Sequence, residues 1–388
     1  MKRRSLIALG WCWLICWSHS LSGQSFFSVE LEYQCMTRAY WLYLPSQYTG
    51  WERLPLVMNL HGFRSDPESQ AVYSHLNELA EQEGFMVLYP QGTIGRTPWG
   101  EGLHWNVGFR EFPDDVGFLG ALLTEISQQY AADPTRIYVM GLSNGGMMAY
   151  ELACQFPERI AAVGSVAGTM FKQQRTACQG SLAVPTILFH GTEDELIPIL
   201  GKGRFLSSEE VSRFWALKNR CLLVEEVNAL PNLTPTDQSQ AEFVHYFPCF
   251  SQAEVMRYRI KGGGHTWPGS SVELATLGPT NQDIDATTLM WIFFQRFQRP
   301  AAYIPFPSLK TAAPCPAFCL AEAGSFQIRW EDQVPDRVAL YTIDGQLLWE
   351  QTSPAADKRL EQTLAAGVYL LCYVVNGVIH WQKLMRWE

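Results

Sequence analysis

The sequence is short of positive charge and of long apolar runs, and each shortage closes a class of function. Lys and Arg total 29 against 38 Asp and Glu, for a formal net charge of −9. No basic stripe gathers anywhere, so nucleic acid is not an expected partner. Beyond the first residues no apolar stretch is long enough to cross a bilayer. No His or Cys pairs stand at zinc-finger spacing, which speaks against a metal site. A dinucleotide-binding G-x-G-x-x-G with its following acidic residue is also missing. Neither a metal nor a cofactor is expected.

What is present points to a large exported protein. The chain has 388 residues, of which 47% are hydrophobic and 13% aromatic. That is too long for one ordinary domain and comfortable for two. The 14 Trp are unusually many, in keeping with a surface for carbohydrate or aromatic ligands, although most Trp in any protein are core. Lys2-Arg3-Arg4, the short apolar segment Leu6 to Trp17, and the small residues Ser20, Ser22 and Gly23 read as a signal peptide over 1–23. Cys12 and Cys16 would leave with it. The remaining Cys35, Cys154, Cys178, Cys221, Cys249, Cys315, Cys319 and Cys372 are even in number and in an oxidising context. They point to disulfides without assigning them.

The chain is organised around Ile137 to Tyr150. An apolar β-rich run, Ile137 to Met140, breaks into Gly141-Leu142-Ser143-Asn144-Gly145. Helical spacing follows at Met147, Met148, Leu152 and Ala153. A strand, a sharp turn and a helix with serine at the apex hold a nucleophile clear of the backbone. The N–H groups of the helix start face any developing oxyanion. Gly141 and Gly145 are required because a Cβ at either would strike the facing strand or helix. By itself a G-x-S-x-G pattern is common; its placement between strand and helix makes it specific.

Buried strands are expected at Leu54 to Leu60, Phe85 to Leu88 and Pro185 to His190, further strands at Ala161 to Val166 and Val255 to Ile260, and one or two strands of alternating apolar and polar residues between Phe26 and Leu44. Helices are expected at Ser69 to Glu83, from Asp114 or Asp115 to about Tyr130, Ser207 to Lys218, and Asp285 to Phe297. Gly92 to Phe112 lacks periodicity and reads as a long functional loop. Strands alternating with helices imply a mostly parallel sheet, with the site at the strands' carboxyl ends. Five prolines between 300 and 316 mark a linker. Beyond it, from 317 to 388, only short strands follow: Phe326 to Trp330, Arg337 to Ile343, Gln346 to Glu350, Val368 to Val375 and Ile379 to Leu384. Asp344-Gly345 and Asn376-Gly377 are hairpin turns. The tail reads as a small all-β sandwich.

A serine nucleophile needs a base, and the base needs an acid to orient it. Strand ends supply Ser143, Asp194 and His265 in that chain order, the order of α/β-hydrolases. Glu193 and Glu195 flank Asp194 as alternative acids, Glu195 being the fallback. His265 follows three glycines, on a loop expected to be exposed and mobile. His61 and His190 end buried strands and read as groups that hold loops by hydrogen bonds. The oxyanion donors are the N–H of Asn144 and that of Phe63, with Arg64 as the alternative to Phe63. Trp99, Trp105, Phe109 and Trp267 sit on loops near the mouth, available to stack on an aromatic acid or a sugar.

These residues carry a resemblance. Leu60-His61-Gly62, Tyr89-Pro90-Gln91-Gly92, Asp114 to Leu119, Gly141 to Met148, His190-Gly191-Thr192-Glu193-Asp194 and Gly262 to Gly269 resemble the secreted esterase family of LpqC-type poly(3-hydroxybutyrate) depolymerases and bacterial feruloyl and acetylxylan esterases. The resemblance covers Leu54 to Phe297. It implies an α/β-hydrolase over 24–299, with nucleophile, acid and base at Ser143, Asp194 and His265. It also implies disulfides Cys154–Cys178 and Cys221–Cys249. The chain departs from the family pattern at Phe63-Arg64-Ser65, where a Cys or a Gly-rich run is more usual. The tail, through Val338 to Leu348, Ala366 to Leu370 and Lys383 to Arg386, resembles the C-terminal sorting domain of type IX secretion. That implies the type IX machinery as a partner, export to the outer-membrane surface or the medium, and a source in the Bacteroidota. The resulting expectation is a secreted serine esterase acting on feruloyl or acetyl esters of plant polysaccharide. Polyhydroxybutyrate depolymerisation, a serine peptidase on the same fold and an inactive surface binding protein are the rivals.

Overall fold

The structure is a computed structural model describing residues 25–34, 36–97, 100–107, 113–180, 182–223 and 227–300, and the strands of the tail between 316 and 386. Residues 1–24, read as carrying a signal peptide, residues 301–315 of the expected linker, Trp99, Phe109 and both expected tail hairpin turns lie outside the described residues.

The chain opens with a hairpin, β1 (Ser25–Tyr33) and β2 (Met36–Leu44), and enters the sheet centre at β3 (Leu54–Leu60). All of β3 after Leu54 is buried, as a strand covered on both faces requires. The helix expected at 69–83 is two helices, α1 (Pro67–Ser74) and α2 (Leu76–Glu83). His75 breaks them with φ 41°. No Gly or Pro announces that break. It is held by a tertiary contact, His75 Nε2 to Asp285 Oδ1 at 3.2 Å.

After β4 (Met86–Pro90), the segment read as a structureless loop contains a hairpin, β5 (Thr93–Thr97) and β6 (Gly100–His104). Its glycines hide the strand pattern, and the structure gives their reason: a Cβ at Gly102 would meet the Arg64 side chain, and one at Gly95 the His104 ring. Helix α3 (Asp115–Gln129) follows. Asp114 caps it by accepting from Gly117 N at 2.8 Å. Asp115 turns inward to Arg38 Nη2, 2.7 Å away in a fully buried pair.

Then come β7 (Ala132–Leu142), α4 (Asn144–Gln155), β8 (Ala162–Val166), α5 (Lys172–Ala177), β9 (Thr186–Gly191) and α6 (Ser208–Lys218). β10 (Val227–Ala229), β11 (Gln240–Tyr246), β12 (Val255–Lys261) and α7 (Ala286–Phe294) complete the series. α5, β10 and β11 were not expected from the sequence, and the last helix stops at Phe294 rather than Phe297.

The ten-stranded sheet has the order β1-β2-β4-β3-β7-β8-β9-β12-β11-β10. From β4 to β12 neighbouring strands run parallel, and the pairs at both edges are antiparallel. Alternate strand residues feed two cores. Leu56, Met58, Ile137 and Val139 pack with α3, α4 and α6 on one face. Val57, Tyr138 and Met140 pack with α1, α2 and α7 on the other. This is an α/β-hydrolase fold, and its parallel strands all end on the same rim.

Both disulfides implied by the resemblance are formed: Cys154–Cys178 and Cys221–Cys249. At the opposite rim, Arg299 ties down the end of this unit. Its N–H donates to Thr135 O at 2.8 Å, Nε to Ile160 O at 2.8 Å and Nη2 to Ala183 O at 2.9 Å.

The tail strands are β13 (Pro316–Ala321), β14 (Ser325–Trp330), β15 (Arg337–Thr342), β16 (Leu347–Thr352), β17 (Asp357–Leu360), β18 (Gly367–Val375) and β19 (Val378–Arg386). They form antiparallel sheets β13-β14-β17 and β16-β15-β18-β19.

Candidate active site

Ser143 occupies the turn between β7 and α4 with φ 53° and ψ −115°. A non-glycine residue there costs about 1–3 kcal/mol, and the surroundings must hold it. They do so on both sides: Ser143 N–H donates to Val166 O at 2.8 Å, and Ser143 O accepts from Met147 N at 3.0 Å. The glycines are needed for closeness. A Cβ at Gly145 would overlap Leu60 O, and one at Gly141 would stand 2.7 Å from the same atom. The helix start therefore rests directly on the end of β3.

The loop after β9 carries the candidate acid. Asp194 is buried, while Glu193 and Glu195 are exposed. Its Oδ1 accepts the N–H groups of Leu196 (3.0 Å) and Ile197 (2.8 Å). Its Oδ2 lies 2.7 Å from His265 Nδ1 and 3.3 Å from His190 Nε2. Burial by itself would raise this carboxyl. The hydrogen bonds from His190 and His265 outweigh burial and hold it well below the usual carboxylate range. Asp194 is thus an anion that faces two imidazoles.

His265 follows β12 on Gly262-Gly263-Gly264. The glycines allow a close crossing: a Cβ at Gly191 would strike the carbonyls of Gly263 and Gly264. The residue is not exposed and mobile, as its loop had led us to expect. It is 4% exposed and pinned by Asp194 and by its own N–H to Leu277 O at 2.6 Å. With Nδ1 turned to Asp194, Nε2 is the nitrogen left to act. His190 holds its loop through Nε2–H to Ile197 O at 2.7 Å.

Ser143 and His265 line one cleft of about 1960 Å³, together with Asn144, Phe63 and Trp105. Met147, Phe171 and Ile197 give it an apolar wall. The sequence carried no signal for these three; each looks like ordinary core or loop until the chain is folded. Gly62 packs against Ser143, the position of its missing Cβ being 3.6 Å from Ser143 Cβ. The Arg64 N–H is spent on Leu103 O at 2.9 Å, so the alternative to Phe63 as an oxyanion donor is already engaged. Among the described residues the Phe63 N–H has no partner.

The aromatic residues divide. Trp267 does not reach the cleft. It is fully buried, with its indole N–H on Thr287 Oγ1 at 2.9 Å and its backbone N–H on Tyr73 OH at 3.1 Å. The apolar core on the α7 side claims it, so the stacking role expected of it is withdrawn. Trp105 lines the cleft but is 2% exposed. Its N–H donates to Asn144 Oδ1 at 2.7 Å, and its carbonyl accepts from Asn144 Nδ2 at 3.2 Å. The Asn144 side chain, next to Ser143, thereby clamps the Trp105 backbone, an interaction the sequence did not announce.

Comparison with known proteins finds similarity to esterases. A family profile described as "esterase PHB depolymerase" matches residues 38–185. The chain is 26% identical over 223 residues to a bifunctional acetylxylan esterase/xylanase of Neocallimastix patriciarum, covering 56% of this chain and 30% of that protein. It is 29% identical over 233 residues to a feruloyl esterase B of Piromyces equi, covering 57% of this chain and 41% of that one. The chain thus spans less than half the length of either relative. Among solved structures, an acetyl xylan esterase from Aspergillus awamori aligns with TM-score 0.49 at 17% identity, over 62% of this chain and 94% of that one.

Proposed function

We propose that this chain is a secreted serine hydrolase of carboxylic esters, with Ser143 as nucleophile, His265 as base and acid, and Asp194 as the anion that orients His265. The observation that carries the reading is the 2.7 Å contact between His265 Nδ1 and Asp194 Oδ2 in a buried pair, within reach of a cleft that Ser143 lines. A neutral imidazole held by Nδ1–H leaves the Nε2 lone pair to accept the Ser143 proton.

The chemistry follows from these positions. Ser143 Oγ attacks the ester carbonyl as its proton passes to His265 Nε2. The carbonyl oxygen becomes an oxyanion, received by the N–H groups of Asn144 and Phe63; each such donor contributes on the order of 3 kcal/mol to the transition state. Asp194, already ionised, stabilises the imidazolium without taking its proton. The C–O bond to the alcohol then breaks, and the alcohol leaves with the proton from His265. Water repeats the sequence on the acyl-enzyme, releasing the acid and restoring Ser143.

Feruloyl or acetyl esters of plant polysaccharide are the substrates we favour. The names of the two curated relatives support this choice. So does a cleft larger than the roughly 300–1,000 Å³ typical of small-ligand pockets, which suits an ester carried on a polymer. Poly(3-hydroxybutyrate) is the second candidate, favoured by the description of the matching family. Secretion rests on the signal-peptide pattern over 1–23, and the type IX machinery on the strand motifs of the tail.

The test is turnover of p-nitrophenyl acetate, methyl ferulate and a 3-hydroxybutyrate oligomer by the mature protein and by Ser143→Ala. Turnover of at least one ester, lost by a factor of about 10⁴ or more in the variant, is the expected result. Turnover that persists in Ser143→Ala would overturn the assignment of the nucleophile. A preference for methyl ferulate over the oligomer separates the two substrate classes.

A further inference from the structure

We infer that His61 is a positioning residue for the oxyanion site: its ring holds the Gly62–Phe63 peptide in the one orientation that turns the Phe63 N–H toward the substrate. The inference rests on the reading above, in which that N–H receives the oxyanion.

The argument is one of peptide geometry. Gly62 C=O and Phe63 N–H belong to the same planar trans unit and point in opposite directions. Whatever fixes the carbonyl therefore fixes the N–H. Gly62 O accepts two bonds, from His61 Nδ1 at 2.7 Å and from Ser65 N at 3.2 Å. The Ser65 bond closes a turn in which Arg64 has φ 62°, as the third residue of a type II turn does. Both bonds draw the carbonyl to one side. Gly62 and Phe63 themselves line the cleft beside Ser143.

The lock works only with one tautomer. A carbonyl accepts, so Nδ1 must carry the hydrogen. His61 Nε2 accepts the Gly92 N–H at 3.0 Å, so Nε2 must not. The two bonds thus select the same neutral imidazole. Burial supports this by pushing the ring down to about 4, which keeps it uncharged at neutral pH. The ring is also boxed in. Trp105 lies over it at 5.0 Å between centroids and donates its indole N–H to His61 O at 3.0 Å. A Cβ at Gly92 would press on His104 O and on His61 Nε2. The ring cannot swing to another partner without moving the β5–β6 hairpin.

Two substitutions separate this role from mere packing. Asn places an N–H near the position of Nδ1, so His61→Asn retains the bond to Gly62 O and gives up the acceptor for Gly92. Gln reaches instead to the position of Nε2, so His61→Gln keeps an acceptor for Gly92 and gives up the donor. We expect His61→Gln and His61→Leu to lose about 10²–10³-fold in kcat, the loss typical of one oxyanion donor, with KM little changed. His61→Asn should stay within about tenfold of the wild type, although all three variants lose thermal stability. The same ranking is expected for inhibition by a trifluoromethyl ketone, whose adduct with Ser143 carries an oxyanion. Asn and Gln variants that lose activity equally, or a ranking that merely follows Tm, would overturn the inference. An active wild type with a dead Ser143→Ala and a flat His61 series would sink this inference alone. A wild type that turns over no ester would sink it together with the esterase reading.

Discussion

At the scale of single residues, the site shows how alike two tryptophans look in sequence and how differently folding uses them. Trp105 and Trp267 both lie on loops that leave strand ends, yet one edges the cleft and the other is core. Trp267→Phe therefore tests packing rather than recognition. Loss of the indole N–H leaves Thr287 Oγ1 without that donor, and stability should fall by about 1–3 kcal/mol, measured by urea denaturation. KM for methyl ferulate should not move; a raised KM with unchanged stability would return Trp267 to the substrate. The three residues of the proposed triad were singled out because the chemistry proposed for them constrains them: a serine in a strand–turn–helix, an acid and a histidine just past later strands. The choice among Glu193, Asp194 and Glu195 was less legible. The three differ in burial, which depends on which of them the turn at Leu196 and Ile197 draws inward.

At the scale of elements, the buried strands were readable because both their faces are covered and their apolar runs are unbroken. The β5–β6 hairpin was not, since its faces are made of glycines that accommodate Arg64 and His104. The division of α1 from α2 was hidden for another reason: a local break is paid for by a distant residue, Asp285. That contact carries a pH dependence. Its hydrogen bond with Asp285 raises His75 above its ordinary 6.5, against the lowering effect of burial. A raised folded pKa means that the stabilisation is complete below the unfolded value and is lost as pH rises through the folded one. Asp285 is lowered, so its own contribution disappears only in acid. As pH rises above the ordinary imidazole value the pair therefore weakens through His75 alone. His75→Asn keeps a residue that tolerates the left-handed backbone and removes the titration. The wild type should lose more Tm than this variant over that rise in pH. Parallel Tm profiles would mean the pair does not contribute.

For the whole molecule, the sequence predicted one α/β unit with a mostly parallel sheet, and the centre of the sheet obeys that reading. At the edges, β1 was legible as alternation, whereas β10 and β11 were not: β10 is only three residues long, and β11 interrupts its apolar residues with Glu242 and His245. Two disulfides brace this unit, across sequence separations of 24 and 28 residues. Closing loops of that size contributes about 3 kcal/mol each on the chain-entropy account. Reduction under native conditions should lower Tm by on the order of 10 °C while leaving kcat at room temperature intact, since neither pair lines the cleft. A Tm indifferent to reductant would show that the cross-links do not limit unfolding. Arg299, finally, has a mechanical meaning. Its three bonds reach carbonyls at or before the entry ends of β7, β8 and β9, whereas Ser143 and Asp194 stand past the exit ends of β7 and β9. A pull transmitted along the chain from residue 300 onward would meet this knot first. The load would pass into the base of the sheet, a strand's length away from the rim that carries Ser143 and Asp194.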